Sequence, residues 1–438
     1  MSFLPQFFSA LNTHNIEYSV LRNYQGLPIS TRGSDLDILI NKEDQKQFIT
    51  VLLEVTNCCN GKIVSVIESE ICPRICLLGS TVNSWGLMID LHYDEITYRD
   101  HVILSNKMIR KNTFLYKSQI YALNPKADAF IGLFKELLNN QKCTPRYYDD
   151  FKRLTLEKEF INTVFSDMDK PYLSDFFLKY KQINYSEPVI MAIVARLNNE
   201  FPKKNPFLLD HIKKLSRLFK QPGFTIAFLG TDGSGKSTLI EAITPTLSEA
   251  FHKAVYYEHM RPNKLPSIAR FFGRKEAFTG VVTDPHSSSV SGFWGSMARW
   301  AYYMLDYTVG YYLKIYPKKA IRSCVWIFDR YYYDYLIDPK RARINLPSWL
   351  LKLGQNLIPE PDMILCLGAN PEAIHQRKPE LPLVEVKRQV MALRIFCKNH
   401  ERAVWIDTGQ TIEETAKEAM EAIIAKMGKR FEQIDLGK

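Results

Sequence analysis

The chain reads as an α/β protein in three consecutive parts, and three observations predict this. Over residues 1–120 strand-like and helix-like runs are mixed, as in an α+β domain. Between 121 and 221 the apolar spacing turns helical. From 222 to 438 short apolar runs alternate with helical stretches, the pattern of a parallel sheet flanked by helices. A length of 438 residues allows two or three cores.

Composition narrows the setting. Hydrophobic residues make up 46% and charged residues 24%, ordinary proportions for a soluble globular chain. The opening residues MSFLPQFFSALNTHNIEY lack the basic start and long apolar core of a secretory signal, and no unbroken apolar run reaches a membrane span of roughly 18 residues. A cytoplasmic location is expected. The 57 basic and 47 acidic side chains give a net charge of +10, which favours anionic partners, whether nucleotides, phosphorylated glycans, nucleic acid or a lipid surface, without choosing among them. No sequence-specific nucleic-acid partner is expected. Cys58, Cys59, Cys72 and Cys76, with His92 nearby, match no zinc-ligand spacing and read as buried thiols.

In the front part, residues 3 to 15 suggest a helix and Tyr18 to Arg22 a strand. A loop with Gly26, Pro28 and Gly33 leads to a second strand, Leu36 to Ile40, and Asn41 caps a helix to about Val55. Strand-like runs follow at Lys62 to Glu68, Arg74 to Leu78 and Gly86 to Leu91. Alternation along a strand puts Asp35 and Asp37 on one face, and Asp90 on a neighbouring strand is placed to join them. Three converging carboxylates are what a pair of Mg²⁺ ions needs to activate a hydroxyl and hold a triphosphate. This stretch resembles the DNA polymerase beta-like nucleotidyltransferase superfamily over roughly its first hundred residues. The resemblance implies that Asp35, Asp37 and Asp90 are metal ligands. Where that superfamily carries a Gly-Ser to grip the triphosphate, this chain has Leu21-Arg22-Asn23, and Arg22 is the residue that would bind phosphate instead. An active metal site, a carboxylate relic and a pure binding domain all remain open.

The middle part is helical, as in Asp128 to Leu138. Tyr147, Tyr148, Asp149 and Asp150 read as a helix start with acidic residues at the positive dipole end. Residues 202 to 222 form a basic junction around Lys203, Lys204, Lys213, Lys214, Arg217 and Lys220, usually a solvated face.

The back part opens on Phe224 to Leu239, FTIAFLGTDGSGKSTL. An apolar strand breaks into Gly230-Thr231-Asp232-Gly233-Ser234-Gly235-Lys236-Ser237-Thr238 and a helix follows to about Glu249: a P-loop, whose backbone N–H groups wrap a phosphate where side chains do not obstruct it. Lys236 would serve the β and γ phosphates of ATP, and Ser237 would offer its hydroxyl to Mg²⁺. Further strands are expected at Ala254 to Tyr257, Cys324 to Phe328, Met363 to Leu367 and Ala403 to Ile406. Between the first two lie a polar loop with Asp284-Pro285-His286 and an aromatic helix, Phe293 to Tyr316. That helix suits a core or a homodimer face, and leaves a peripheral membrane contact open. Its Arg299 and Asp306, two turns apart, share a face and could point together into a pocket. Asp329-Arg330 at the end of the third strand faces the P-loop: Asp329 to hold Mg²⁺ or accept a proton, Arg330 to clamp a phosphate. Arg377-Lys378-Pro379-Glu380, with Arg388 further on, suits a positive segment closing over a transferring phosphoryl group.

FLGTDGSGKST, FDRYYYD and the basic segment after PDMILCLGANPE resemble the P-loop, DRY motif and lid of the thymidylate kinase-like family over about residues 222 to 428. The resemblance implies a five-stranded parallel sheet flanked by helices, and ATP with Mg²⁺. It gives Asp232 an acceptor hydroxyl, Asp329 the metal or base role, Arg330 the acceptor phosphate and Arg377 the lid charge. Leu229 stands where thymidylate kinases carry Glu, and Glu258-His259-Met260-Arg261-Pro262 replaces their Glu-Pro-Gly loop. The order of the two parts also resembles bacterial proteins associated with surface polysaccharide assembly. The expected activity is phosphoryl transfer from ATP to a sugar, glycan or nucleotide-like acceptor, with Arg261, His286 and Arg299 as acceptor contacts. A genuine thymidylate kinase, an ATP-switched assembly protein and nucleotidyl transfer by the front part stand beside it.

Overall fold

The computed structural model describes residues 2–69, 72–81, 83–179, 187–202, 221–266 and 292–431. Residues 203–220 of the basic junction and the loop with His286 fall outside the described residues. Seven strands build the front sheet: β1 (Tyr18–Val20), β2 (Leu36–Ile40), β3 (Gly61–Ile67), β4 (Arg74–Ser80) and β5 (Ser84–Tyr93), then, beyond a small hairpin of β6 (Ile96–Tyr98) and β7 (His101–Leu104), β8 (Thr113–Tyr116) and β9 (Ile120–Leu123). Their order is β3-β4-β5-β2-β1-β9-β8. The parallel pair β2 and β5 sets Asp37 directly opposite Asp90.

Strands β3 to β5 are apolar on both faces, so both must be covered. Ile75, Leu77, Leu87 and Ile89 pack against the helices Phe3–Thr13 and Gln45–Cys58. The alternate residues Val64, Cys76, Leu78 and Met88 point the other way, into a core shared with the back part. Where that face continues onto β2 and the end of β1, Leu39 and Leu21 meet the middle helices, whose core is rich in phenylalanine: Phe130, Phe134, Phe151, Phe165 and Phe177. Front and middle parts therefore share a core.

The back sheet is parallel throughout, in the order β11-β12-β10-β13-β14, with β10 (Phe224–Leu229), β11 (Val255–His259), β12 (Val325–Asp329), β13 (Met363–Gly368) and β14 (Ala403–Asp407). One face is covered by the P-loop helix (Lys236–Ala250) and the C-terminal helix (Ile412–Gly428), and these same two helices carry the front sheet on their other side. Gly86 marks the closest approach. A Cβ there would lie 2.3 Å from the Thr246 carbonyl oxygen and 2.8 Å from the Ala250 nitrogen. The buried Ser65 hydroxyl adds a polar stitch between the parts, donating to the Pro222 carbonyl at 2.9 Å.

The opposite face packs on the aromatic stretch expected as one helix. It is split into an α-helix (Phe293–Leu305), a ten-residue π-helical stretch (Asp306–Ile315) and a short α-helix (Tyr316–Ile321). Tyr307 and Tyr311 enter the core, as expected, while Trp294, Tyr312 and Leu313 are exposed. Among the described residues no helix is long and apolar enough to cross a membrane.

Candidate functional site

Strand β10 lies between β12 and β13, so the crevice beyond its carboxyl end is where an open parallel sheet binds ligands. Gly230 to Thr238 fill it. Gly233 and Gly235 adopt φ of +80° and +82°, a region that favours glycine. Gly233 is also hemmed in: its Cβ would lie 2.9 Å from the Ile374 carbonyl oxygen, so the turn at 374–378 sits directly over the loop. Lys236 opens the helix and folds back, donating from Nζ to the carbonyls of Gly230 and Thr231, both at 2.9 Å. Burial, and then the nearby Arg330 charge, lower its pKa to about 7. A bound phosphate would reverse that depression by supplying the missing counter-charge.

Asp329 ends β12 opposite Phe228 of β10. Its Oδ2 accepts from the Tyr257 hydroxyl at 3.0 Å and lies 3.8 Å from His259 Nδ1. Burial alone would raise its pKa, but the neighbouring His259, the Lys236 charge and Tyr257 hold it at about 2. Asp329 Oδ1, Ser234 Oγ and Thr231 Oγ1 are buried without a hydrogen-bond partner among the described residues. Such groups need a partner from water or a ligand, and these three lie on the P-loop and at the end of the adjoining strand.

Asp232 is shared by two arginines: Arg330 at 2.6 Å and Arg341. Arg330, with φ of +72°, is buried, and its other guanidinium nitrogen pairs with Asp334. Burial works against the charge, but Asp334 and Asp232 outweigh it and raise the pKa. Sequence reasoning gave Asp334 and Arg341 no role. The signal for Asp334 was its position four residues after Arg330 on the DRY turn. Ser237 and Thr238 are exposed at the start of the helix. Arg377 lies at the end of the helix Pro371–Arg377 and donates to the Thr408 carbonyl at 2.9 Å, beside the end of β14. Arg388 is tied to Glu385 and to the Ile337 carbonyl.

One expectation fails. Arg299 and Asp306 share a face by spacing but do not point together. Asp306 is fully buried and accepts from the backbone N–H groups of Asn263, Lys264 and Leu265 and from Arg261. Arg299 instead reaches the Ala342 carbonyl. The backbone of the loop after β11 needed an acceptor, and Asp306 supplies it.

In the front part, Asp35, Asp37 and Asp90 converge as expected, with ligand atoms within 4.8 Å of one another. They line or underlie a cleft of about 550 Å³ whose walls include Arg22, Arg74, Asp128, Lys135, Tyr147 and Asp150. Every carboxylate of the three is already paired. Arg22 Nε lies 2.5 Å from Asp37 and its Nη2 3.2 Å from Asp35; Arg74 grips Asp90 with two hydrogen bonds of 2.8 and 3.0 Å. Arg22, read as a phosphate contact, thus faces carboxylates. Burial would raise the Asp37 pKa, but His92 and Arg22 hold it well below the usual range. Cys72 Sγ lies 3.5 Å from His92 Nε2, and Cys59 and Cys76 are buried singly; no zinc cluster forms among the described residues.

No protein-family model matches the chain, and no curated protein does. Among solved structures it is similar to thymidylate kinase from Candida albicans, described as having broad substrate specificity, at 19% identity over 48% of this chain and 94% of that one, TM-score 0.34. It is also similar to thymidylate kinase from Ehrlichia chaffeensis, at 16% identity over 45% and 96%, TM-score 0.31. The P-loop sheet rests on the strand order and loop geometry described above.

Proposed function

We propose that the chain is an ATP-dependent phosphotransferase working at the carboxyl ends of β10 and β12, with a sugar, glycan or nucleotide-like acceptor. The observation that carries this is the set of buried oxygens without a partner among the described residues, Asp329 Oδ1, Ser234 Oγ and Thr231 Oγ1, near a lysine whose Nζ donates to the loop carbonyls of Gly230 and Thr231. Ser237 and Asp329 offer the hard oxygen donors that Mg²⁺ prefers, and the ion would neutralise charge on the triphosphate.

The chain's own residues divide the remaining work. The loop's N–H groups and Lys236 hold phosphate charge, and Asp232 with Arg330 and Arg341 forms a rigid wall on the acceptor side. A carboxylate held at about pKa 2 is a weak base. Asp329 therefore orients the acceptor hydroxyl rather than ionising it first, which suffices where the transition state is loose. The γ-phosphoryl group moves to the acceptor oxygen, ADP leaves, and the acceptor's proton passes to solvent.

A second reading is a genuine thymidylate kinase, supported by Arg330 following Asp329 at the end of β12. Its pairing at both ends with Asp232 and Asp334 counts against a free phosphate clamp. A setting in surface polysaccharide assembly rests on the order of the parts alone. The test is transfer of label from γ-labelled ATP to thymidine monophosphate and to a panel of sugars and saccharide phosphates, with Lys236→Ala alongside. Label on a saccharide, lost in the variant, supports the first reading; label on thymidine monophosphate selects the second. Transfer that survives Lys236→Ala sinks both.

A further inference from the structure

The carboxylate cluster of the front part has the spacing of a two-metal site and the surroundings of something else. Arg22 is the second residue beyond β1, beside β2, and the preceding Leu21 N–H donates to the Asp37 carbonyl at 2.9 Å, so its Cα is held next to the aspartates. Its guanidinium makes contacts of 2.5 and 3.0 Å to Asp37 and 3.2 Å to Asp35. Only 17% of that side chain is exposed. Arg74, directly opposite Asp90 on the neighbouring strand, makes the same two-pronged contact with it. His92 Nε2 stands 3.7 Å from Asp37 Oδ1, the oxygen that Arg22 Nη2 also reaches.

Three carboxylates against two guanidiniums leave one negative charge, and two divalent ions would bring four positive ones to it. A metal ion would have to evict Arg22 from a mostly buried pair, at a cost of at least about a hundredfold in affinity. It would also leave that guanidinium beside the ion. The donor set therefore does not fit Mg²⁺ as the fold holds it.

We propose that Arg22 and Arg74 are the permanent counter-ions of Asp35, Asp37 and Asp90, making the front part a metal-free domain that transfers no nucleotidyl group. This stands independently of the P-loop assignment. The carboxylates position two arginine side chains at the floor of the cleft, and the cluster contributes to holding β1, β2, β4 and β5 in register.

The test is titration of the full chain with MnCl₂ in the absence of nucleotide, reading free Mn²⁺ by its electron paramagnetic resonance signal. Wild type and Asp35→Asn are expected to bind the same number of ions. The double variant Arg22→Ala/Arg74→Ala is expected to gain a site at least about a hundredfold tighter than any the wild type shows there, lost again when Asp37→Asn is added. An ion held by the wild type and released by Asp35→Asn overturns the proposal, as does a folded double variant with no new site. Where the double variant fails to fold, the comparison of wild type with Asp35→Asn decides alone.

Discussion

The two charged clusters of this molecule use the same residue types to opposite ends. In the front cleft each of the three converging aspartates meets a guanidinium: Asp35 and Asp37 share Arg22, and Asp90 takes Arg74. In the P-loop crevice Asp329 keeps one buried oxygen free, and Ser234 and Thr231 keep theirs. Polar groups buried without partners are costly unless a ligand completes them, whereas fully paired ones work as structure. The difference teaches that convergence of carboxylates alone does not make a reactive site; what matters is which lone pairs the fold leaves unspent.

The largest expected effect breaks the comparison on its active side. Lys236→Ala should lower phosphoryl transfer at least about a thousandfold, measured by single-turnover transfer of label, because charge stabilisation supplies most of this chemistry. Thermal stability should hold, since a buried ammonium with only carbonyl partners is removed.

Next in size is the front cluster, where the effect should fall on stability. Arg22→Ala strands Asp37 with its charge buried and should cost about 3 kcal/mol in urea unfolding, with ATP-dependent transfer unchanged in the protein that remains folded. Loss of transfer at unchanged stability would contradict the division of roles. A smaller effect tests the seam between the parts. Gly86→Ala places a Cβ against the P-loop helix backbone and should cost about 1–3 kcal/mol, and it should weaken ATP binding through the helix it displaces.

The smallest effect is pH-dependent. Asp128 on the cleft wall titrates at about 6 rather than 3.8, raised by burial and then by Asp150. The folded state binds that proton more tightly than the unfolded one, so its stability contribution is full below about pH 4 and is lost as pH rises through 6. Asp128→Asn should therefore stabilise by about 1–2 kcal/mol at pH 8, allowing for partial exposure, and by almost nothing at pH 4. Melting temperatures at the two pH values check it.

Much of this was legible in the sequence. Phe224 to Leu229 is a strand buried along its whole length, and a continuous apolar run before a glycine-rich turn leaves little alternative. Asp37 and Asp90 face each other because strand alternation and a parallel pairing are local consequences of pattern. What escaped were features that depend on distant partners. Arg22 reads equally as a phosphate ligand or a counter-ion until β1 is set beside β2. Strands β6 to β9 are only three or four residues long and carry weak periodicity. Asp306, at the start of the π-helical stretch, answers three backbone N–H groups 41 to 43 residues before it, a partnership no helical wheel shows.

The central claim is that nucleotide belongs to the P-loop crevice and not to the front cleft. Its most direct test is equilibrium binding of a fluorescent ATP analogue with Mg²⁺ to the full-length chain, comparing wild type, Lys236→Ala and Asp35→Asn. One site per chain, lost in Lys236→Ala and unchanged in Asp35→Asn, is the result predicted. A second site, or binding that survives Lys236→Ala and disappears in Asp35→Asn, would contradict it.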